Sequence, residues 1–176
     1  YRRQRQMCIR DRSVNLSYQE FLEGDLTSFV RDTLDEIKLS PANLTLELTE
    51  SYFVKEDAIV RETLESFREM GVRVAMDDFG VGYSSLFMLK YIPADIVKID
   101  RGFVKGITTD LFNATFIRSI TELCNDVGKQ VCLEGVETEE EYGRVSSMGL
   151  RLIQGFYFGR PVPAEQFFEK LQPGRN

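Results

Sequence analysis

A chain of 176 residues, 43% of them hydrophobic, is long enough for one domain with a sizeable core and too short for two ordinary domains. Its formal net charge of -6 argues against a DNA-binding protein, because a phosphate backbone is normally held by a basic face. A nucleotide ligand is still compatible with this charge if metal ions supply the positive countercharge.

The first 12 residues, YRRQRQMCIRDR, differ from the rest of the chain because they hold five arginines and almost no apolar periodicity. We interpret residues 1–12 as a disordered or extraneous tail and residues 13–176 as the domain. Three cysteines, Cys8, Cys124 and Cys132, lack ligand-like spacing such as C-x-x-C. Free thiols favour a reducing cytoplasm.

Apolar runs in the sequence are all shorter than the roughly 18 residues that a membrane-spanning helix needs, and no signal-peptide pattern is present. We therefore expect this segment to make no membrane contact. The predicted location is the cytoplasm, for a soluble protein or for the cytoplasmic part of a membrane-anchored one.

From Ser13 onward, short apolar segments rich in β-branched residues alternate with amphipathic stretches, a pattern typical of β/α units around a parallel sheet. Six strands are predicted, at Ser13–Leu16, Leu44–Leu48, Val72–Met76, Ile96–Ile99, Val131–Leu133 and Leu152–Phe156.

Apolar residues at helical spacing predict helices between these strands. Three stripes carry the prediction: Leu26, Phe29, Val30, Leu34 and Ile37; Ile59, Thr63, Leu64, Phe67 and Met70; Phe116, Ile117, Ile120, Leu123 and Val127. Gly71, Gly128 and Gly149 each follow a helical stretch, where a left-handed residue often ends a helix.

Six β/α units can build an open doubly wound sheet or part of an eight-stranded barrel. Charged residues lie at the carboxyl ends of the predicted strands: Glu47, Asp77, Asp78, Lys98, Asp100, Glu134 and Glu137. In a barrel these ends converge on one mouth, whereas an open sheet spreads them along a line. A shared site at that mouth favours the barrel.

The segment LTLELTE places leucines at 44, 46 and 48 on one face, so Glu47 faces the opposite way, into the barrel. A buried carboxylate is costly unless it is paired or binds a metal. For Glu47 alone, a structural ion pair is the simpler interpretation.

Asp77 and Asp78 are adjacent carboxylates that repel each other, and a dication relieves that repulsion. Asn15, Lys98 and Gln154 also end strands, although each has a structural interpretation as a turn cap, a countercharge or a loop hydrogen bond. A site of carboxylates and an amide in a chain with no histidine suits Mg²⁺ or Mn²⁺. Two such ions support phosphoryl transfer.

The segment DDFGVGYSSLFMLK contains Gly80 and Gly82 but no third glycine at the offset of a dinucleotide-binding loop. Its D-F-G letters resemble the kinase metal loop, but the chain lacks H-R-D and the glycine-rich ATP loop. We interpret it as a loop that closes on substrate or transmits a signal.

Six motifs, SVNLS, ELTES, DDFGVGYSSL, KIDRGFV, EGVETEEE and IQGFYFGRPVP, occur in the order and spacing of a known family. Over residues 13–171 the chain resembles the EAL domain of cyclic di-GMP phosphodiesterases. This resemblance implies a (β/α)8 barrel that hydrolyses cyclic di-GMP, a bacterial second messenger, to linear pGpG with two Mg²⁺ or Mn²⁺ ions.

The resemblance also implies a role for each matching residue. Asn15, Glu47 and Asp77 would bind the first metal, Asp77 would bridge to the second, and Asp78 and Glu134 would complete the second site. Lys98 would orient the attacking water, Gln154 would line the site near the guanine or phosphate, and Glu50 would anchor the DFGVGYSSL loop. The family implies a homodimer formed through the barrel, and sensor or GGDEF-type domains in the full-length protein.

The chain departs from the family pattern because it begins after the E-A-L segment, whose glutamate is a metal ligand. Two barrel strands would also be missing, since a whole barrel takes about 250 residues. We therefore expect the isolated chain to be poorly soluble and little active. Val81 and Leu133 replace the usual threonine and alanine.

Three functions remain open on the sequence. The first is that the parent protein is a phosphodiesterase. The second is that it is an EAL-like receptor or interaction module without catalysis, and the third is that it is a metal-dependent lyase of the enolase type. Retained acids favour the phosphodiesterase, and Lys98 alone gives little support to a lyase.

Overall fold

The structure, a computed structural model, describes residues 12–49, 52, 58–82, 86, 88–91 and 93–171. Within them, six parallel strands form one sheet: β1 (Arg12–Asn15), β2 (Leu44–Thr49), β3 (Arg73–Phe79), β4 (Ile96–Ile99), β5 (Gln130–Leu133) and β6 (Leu152–Ile153). The sheet order is β1-β2-β3-β4-β5-β6, the same as the order in sequence.

This strand order distinguishes the two predicted architectures. A doubly wound sheet reverses its strand order at a switch point, whereas a barrel adds each new strand beside the last. The six strands never reverse, and the sheet curls into a half-barrel. The prediction of a partial (β/α)8 barrel with six β/α units is confirmed.

Seven α-helices lie within the described residues: α1 (Tyr18–Leu22), α2 (Leu26–Ile37), α3 (Ala58–Met70), α4 (Met88–Tyr91), α5 (Leu111–Asp126), α6 (Glu139–Val145) and α7 (Ala164–Leu171). Two short 3-10 turns, Pro41–Asn43 and Arg101–Phe103, precede β2 and follow β4. Polar side chains fix several helix starts: Asp25 caps α2, Asp110 caps α5, and Thr138 forms a capping box with Glu141 at α6.

The main core fills the space between the sheet and the helices. Leu46 and Leu48 of β2, Leu64 and Phe67 of α3, and Ile117 of α5 are all nearly inaccessible to solvent and belong to this core. A smaller cluster on the inner face of the sheet contains Ala75, Ile96 and Cys132, with Leu152 packed against it. Both faces of the sheet are therefore apolar below the carboxyl ends of the strands.

The helix predictions are confirmed in position, but the edges of the apolar stripes differ. Phe29 and Ile37 of α2 and Ile59 of α3 are exposed, while the neighbouring Val30 and Val60 are buried. Only the centre of these two stripes is buried, because α2 packs against α3 and α3 packs against β3. The three glycines predicted to follow helices have φ angles of 91°, 76° and 77° at Gly71, Gly128 and Gly149.

Strand boundaries shift modestly from the predictions. β3 continues to Phe79, three residues past its predicted end, and β6 stops at Ile153, three residues before Phe156. Arg12 already belongs to β1, one residue before the predicted start of the domain. Cys8, Glu50 and the predicted tail up to residue 11 lie outside the described residues. Across the described part of the chain, no helix has the length and apolar composition needed to cross a bilayer.

Candidate functional site

Lys98 is the centre of the candidate site. It lies on β4 between the fully buried Val97 and Ile99, and its side chain points to the opposite face, inside the half-barrel. Its ammonium contacts Glu47 Oε2 at 2.6 Å, Glu134 Oε1 at 2.9 Å and Asp77 Oδ1 at 3.0 Å. Strands β2, β3 and β4 and the end of β5 thus each contribute one charged group to the same point.

All four side chains of this acid cluster, which we define as Lys98, Glu47, Asp77 and Glu134, are largely withdrawn from solvent. Lys98 is 7% exposed, and the three carboxylates are between 11% and 19% exposed. At this burial, charge pairs are screened far less than on the surface. The cluster therefore holds more negative than positive charge in a poorly hydrated place.

Two members of the cluster, Lys98 and Glu134, have shifted pKa values. Burial alone would lower the pKa of Lys98, but its three carboxylate hydrogen bonds outweigh burial and hold that pKa above the ordinary lysine value. Burial raises the pKa of Glu134 above its usual range, against the lowering effect of Lys98. Lys98 is therefore charged at neutral pH.

Asp77 and Asp78 leave β3 in different directions because the backbone changes conformation between them. The pairing of β3 with β4 shifts register between Met76 and Phe79, and Asp78 has a φ of 56°. Asp77 Oδ1 accepts a hydrogen bond from the Asp78 backbone N–H at 3.0 Å. Asp77 consequently joins the acid cluster, whereas the side chain of Asp78 is exposed beside it.

The remaining predicted site residues lie around the acid cluster. Asn15 ends β1 in register with Glu47, so it shares the inner face, and it is exposed. Gln154 follows β6; its N–H donates to Leu133 O at 2.8 Å, and its side chain is exposed. Glu50, the predicted loop anchor, lies outside the described residues. Glu137 is exposed and immediately precedes the α6 cap Thr138.

Sequence patterns did not indicate the apolar cluster of Ala75, Ile96 and Cys132. This cluster lies beneath the charged side chains and forms an apolar floor to the site. Cys132 pairs in register with Lys98, so its thiol is a direct neighbour of the cluster. The alternation of β4 and β5 contains this information, since Ile96 and Lys98 share a face and so do Cys132 and Glu134. A low-dielectric floor strengthens the electrostatic interactions above it.

Gly80, the glycine of D-F-G, is required by close packing. Its φ is 97°, and a Cβ there would lie 2.7 Å from Phe103 Cε2. Phe103 stacks on Phe116 of α5 with ring centroids 4.2 Å apart. The start of the loop after Asp78 is thereby fixed against the turn after β4 and against α5.

The donor chemistry fits a hard divalent cation, because three carboxylates converge on one cationic group. Within the described residues, no group of three or more acidic, cysteine or histidine side chains has the spacing of a metal site. In this structure the cation that the three acids share is the Lys98 ammonium.

Comparisons with known proteins agree with this geometry. A family profile described as "EAL domain" matches residues 2–161. The chain is 40% identical over 159 residues to the Pseudomonas aeruginosa bifunctional diguanylate cyclase/cyclic di-GMP phosphodiesterase MucR, covering 90% of the chain and 23% of MucR. It spans between 19% and 26% of the length of the curated relatives that it matches first.

Solved structures extend the comparison to three dimensions. The PaMucR phosphodiesterase in complex with c-di-GMP superposes with a TM-score of 0.81 at 36% identity, covering 92% of this chain and 70% of that one. A manganese/cyclic-diGMP complex of Klebsiella pneumoniae BlrP1 gives a TM-score of 0.81 at 31% identity, covering 89% and 42% of the two chains. Divalent ions and cyclic di-GMP thus occur together in structures similar to this one.

Proposed function

Since this chain belongs to the EAL domain family, we propose that it supplies the active-site residues, at the carboxyl ends of its strands, of a metal-dependent phosphodiesterase that hydrolyses cyclic di-GMP to linear pGpG. The observation that carries the proposal is the convergence of Glu47, Asp77 and Glu134 on one buried cationic group. Acids from separate strands meet at the carboxyl ends of a half-barrel, which is where barrel enzymes build their active sites.

The residues present would divide between two ions. Asn15, Glu47 and Asp77 would hold the first ion, and Glu134 and Asp78, together with Asp77, would hold the second. Mg²⁺ or Mn²⁺, when bound, supplies positive charge for the phosphate oxygens and lowers the pKa of water. The exposed position of Asp78 beside Asp77 supports its assignment to the outer ion.

Other residues of the chain act on the substrate and its surroundings. Lys98 donates hydrogen bonds through its ammonium and orients the attacking water. Gln154, exposed after β6, binds the guanine or phosphate. We assign Glu50 to anchoring the loop that begins at Gly80, by the family motif alone. The apolar floor under the acids excludes bulk water from the inner side of the reacting phosphate.

The chain covers only part of its relatives, so the partners of the whole protein are also proposals. We propose that the parent protein resides in the cytoplasm or faces it, joins this domain to sensor or GGDEF-type domains, and dimerises through the barrel. Its ligand is cyclic di-GMP, supported by the complexes formed by similar structures.

The catalytic role of Glu47 and Glu134 can be tested by substitution in the full-length protein that contains this chain. Glu47→Gln and Glu134→Gln should each lower the conversion of cyclic di-GMP to pGpG by at least about 100-fold, because each removes a charged ligand rather than a supporting group. Chromatographic separation of substrate and product after incubation with Mg²⁺ or Mn²⁺ measures the conversion.

The matched control is Glu65→Gln, which changes an exposed acid on α3 that pairs with Arg61. It should retain parental turnover. Undiminished turnover in Glu47→Gln or Glu134→Gln would exclude the acid cluster as the catalytic site. A parent protein that binds cyclic di-GMP but leaves it intact would instead be a receptor.

A further inference from the structure

Lys98 meets more acids than one lysine can neutralise. Three carboxylates contact one ammonium at a site where every side chain is less than 20% exposed, so the acids outnumber their countercation. Without the ammonium, three like charges would face one another in a low-dielectric place, which is strongly unfavourable. Lys98 therefore contributes to folding before any ion binds.

We propose that Lys98 is a built-in countercation that holds Glu47, Asp77 and Glu134 together in the metal-free protein and competes with a divalent ion for the same three carboxylates. The inference rests on the proposed function in one respect, that a dication binds to the acid cluster. It adds that the chain limits the affinity of its own site for that ion.

The contacts of Lys98 support competition rather than a passive ion pair. An ammonium has three donor hydrogens, and the three carboxylates accept at 2.6, 2.9 and 3.0 Å, so its hydrogen-bonding capacity is filled by the proposed metal ligands. A dication that binds these oxygens must take at least part of that coordination from Lys98.

The side chain of Lys98 can yield without disturbing the fold. Its backbone is fixed between Val97 and Ile99, which are both 0% exposed, while its four-carbon stem has several rotatable bonds. The ammonium can thus shift as a point charge while β4 stays in place. Competition then requires no backbone rearrangement.

Removing the charge of Lys98 should have two opposite effects. The metal-free protein should become less stable, because the acids lose their countercation. Divalent ions should bind more tightly, because the competitor is gone and a repelling positive charge has been removed. A purely structural lysine would give a different result, since damage to the fold would weaken both stability and ion binding.

The test compares the full-length protein that contains this chain with its Lys98→Met variant and with the control Lys105→Met, which changes an exposed lysine to the same residue. Thermal unfolding in EDTA gives the metal-free stability, and calorimetric titration with MnCl₂ in the absence of nucleotide gives the ion affinity. For Lys98→Met we expect a Tm lower by about 5 °C or more and Mn²⁺ binding tighter by about tenfold or more. Lys105→Met should match the parent in both.

The outcomes separate this inference from the proposed function. Equal or weaker Mn²⁺ binding by Lys98→Met would overturn the competition while leaving a metal site in place. If neither the parent nor Lys98→Met binds Mn²⁺ at millimolar concentration, the acid cluster is not a metal site, and both the inference and that part of the proposed function fail.

A second variant covers the case in which Lys98→Met does not fold in EDTA. The double variant Lys98→Met/Glu134→Gln removes one of the three acids together with the lysine, so it should be more stable in EDTA than Lys98→Met alone. Measuring Glu134→Gln alone in EDTA completes the double-mutant cycle, and its departure from additivity gives the coupling between the two side chains. A double variant no more stable than the single one would contradict the countercation role.

Discussion

Cys124 and Cys132 are both buried, but their surroundings differ. Cys124 lies in α5 within the main core, and Cys132 lies beside the acid cluster. Burial raises the pKa of the Cys124 thiol to about 11 and that of the Cys132 thiol to about 12, where the nearby carboxylate of Glu134 adds to the effect. Because the thiolate is the reactive form, both cysteines are chemically inert at neutral pH in the folded protein.

We predict that Cys124 resists alkylation in the folded chain. At pH 8, a thiol with a pKa of about 11 is only about one part in a thousand thiolate. Iodoacetamide should therefore label Cys124 at least about 100-fold more slowly in the folded chain than in guanidinium, as measured by peptide mass spectrometry. Labelling should accelerate as the pH approaches 11, and rapid labelling of the folded chain at pH 8 would contradict the burial of this thiol.

Asp95 connects three secondary-structure elements at the end of the half-barrel opposite the acid cluster. It precedes β4, and its Oδ2 accepts from the Val74 N–H of β3 at 2.9 Å. Its Oδ1 accepts from Arg68 Nε of α3 at 3.1 Å. One carboxylate thus connects two neighbouring strands and the helix that covers them.

Asp95→Ala should lower the free energy of unfolding by about 2 kcal/mol, because the Val74 N–H and the Arg68 guanidinium both lose a partner. Chemical denaturation of the 176-residue chain measures the loss. Glu65→Ala is the matched control: it removes another acid paired with an arginine, but the Arg61–Glu65 pair is 75% and 50% exposed and should contribute less than about 0.5 kcal/mol. Equal losses in the two variants would show that Asp95 does not connect these elements.

The contrast between Glu47 and Asp78 explains what the sequence could predict. The inward direction of Glu47 follows from strict alternation with three leucines, and the structure has Glu47 bonded to Lys98 on that face. The position of Asp78 could not be predicted in this way, because its left-handed φ and the register shift in β3 interrupt the alternation. Periodicity predicts side-chain direction only where the backbone is regular.

Long-range contacts were predictable in kind but not in detail. Barrel topology brings the carboxyl ends of strands to one mouth, so acids at those ends were expected to be neighbours. The contact of three of them with the single ammonium of Lys98 depends on side-chain reach and on the curvature of the sheet. The exposure of Phe29 similarly depends on how α2 packs against α3, which its own sequence does not encode.

For the molecule as a whole, the sheet is a half-barrel whose outermost strands are β1 and β6. Within the described residues, each of these two strands pairs with only one other strand. Val14 of β1 is 47% exposed, although its register partner Leu46 is 2% exposed in the core. An accessible apolar strand edge is a site for pairing with another chain, which agrees with the poor solubility expected from the sequence.

We predict that the isolated chain self-associates through this edge and that Val14→Lys reduces the association. A lysine on an edge strand opposes strand addition by introducing a charge that another sheet cannot bury, while the ladder between β1 and β2 stays intact. Phe29→Lys is the matched control, since Phe29 is 68% exposed on α2 and lies away from the strand edges. Light scattering coupled to size-exclusion chromatography should show Val14→Lys mostly monomeric at a concentration where the parent and Phe29→Lys form larger species. If Phe29→Lys makes the chain monomeric instead, the exposed face of α2 rather than the edge of β1 drives association.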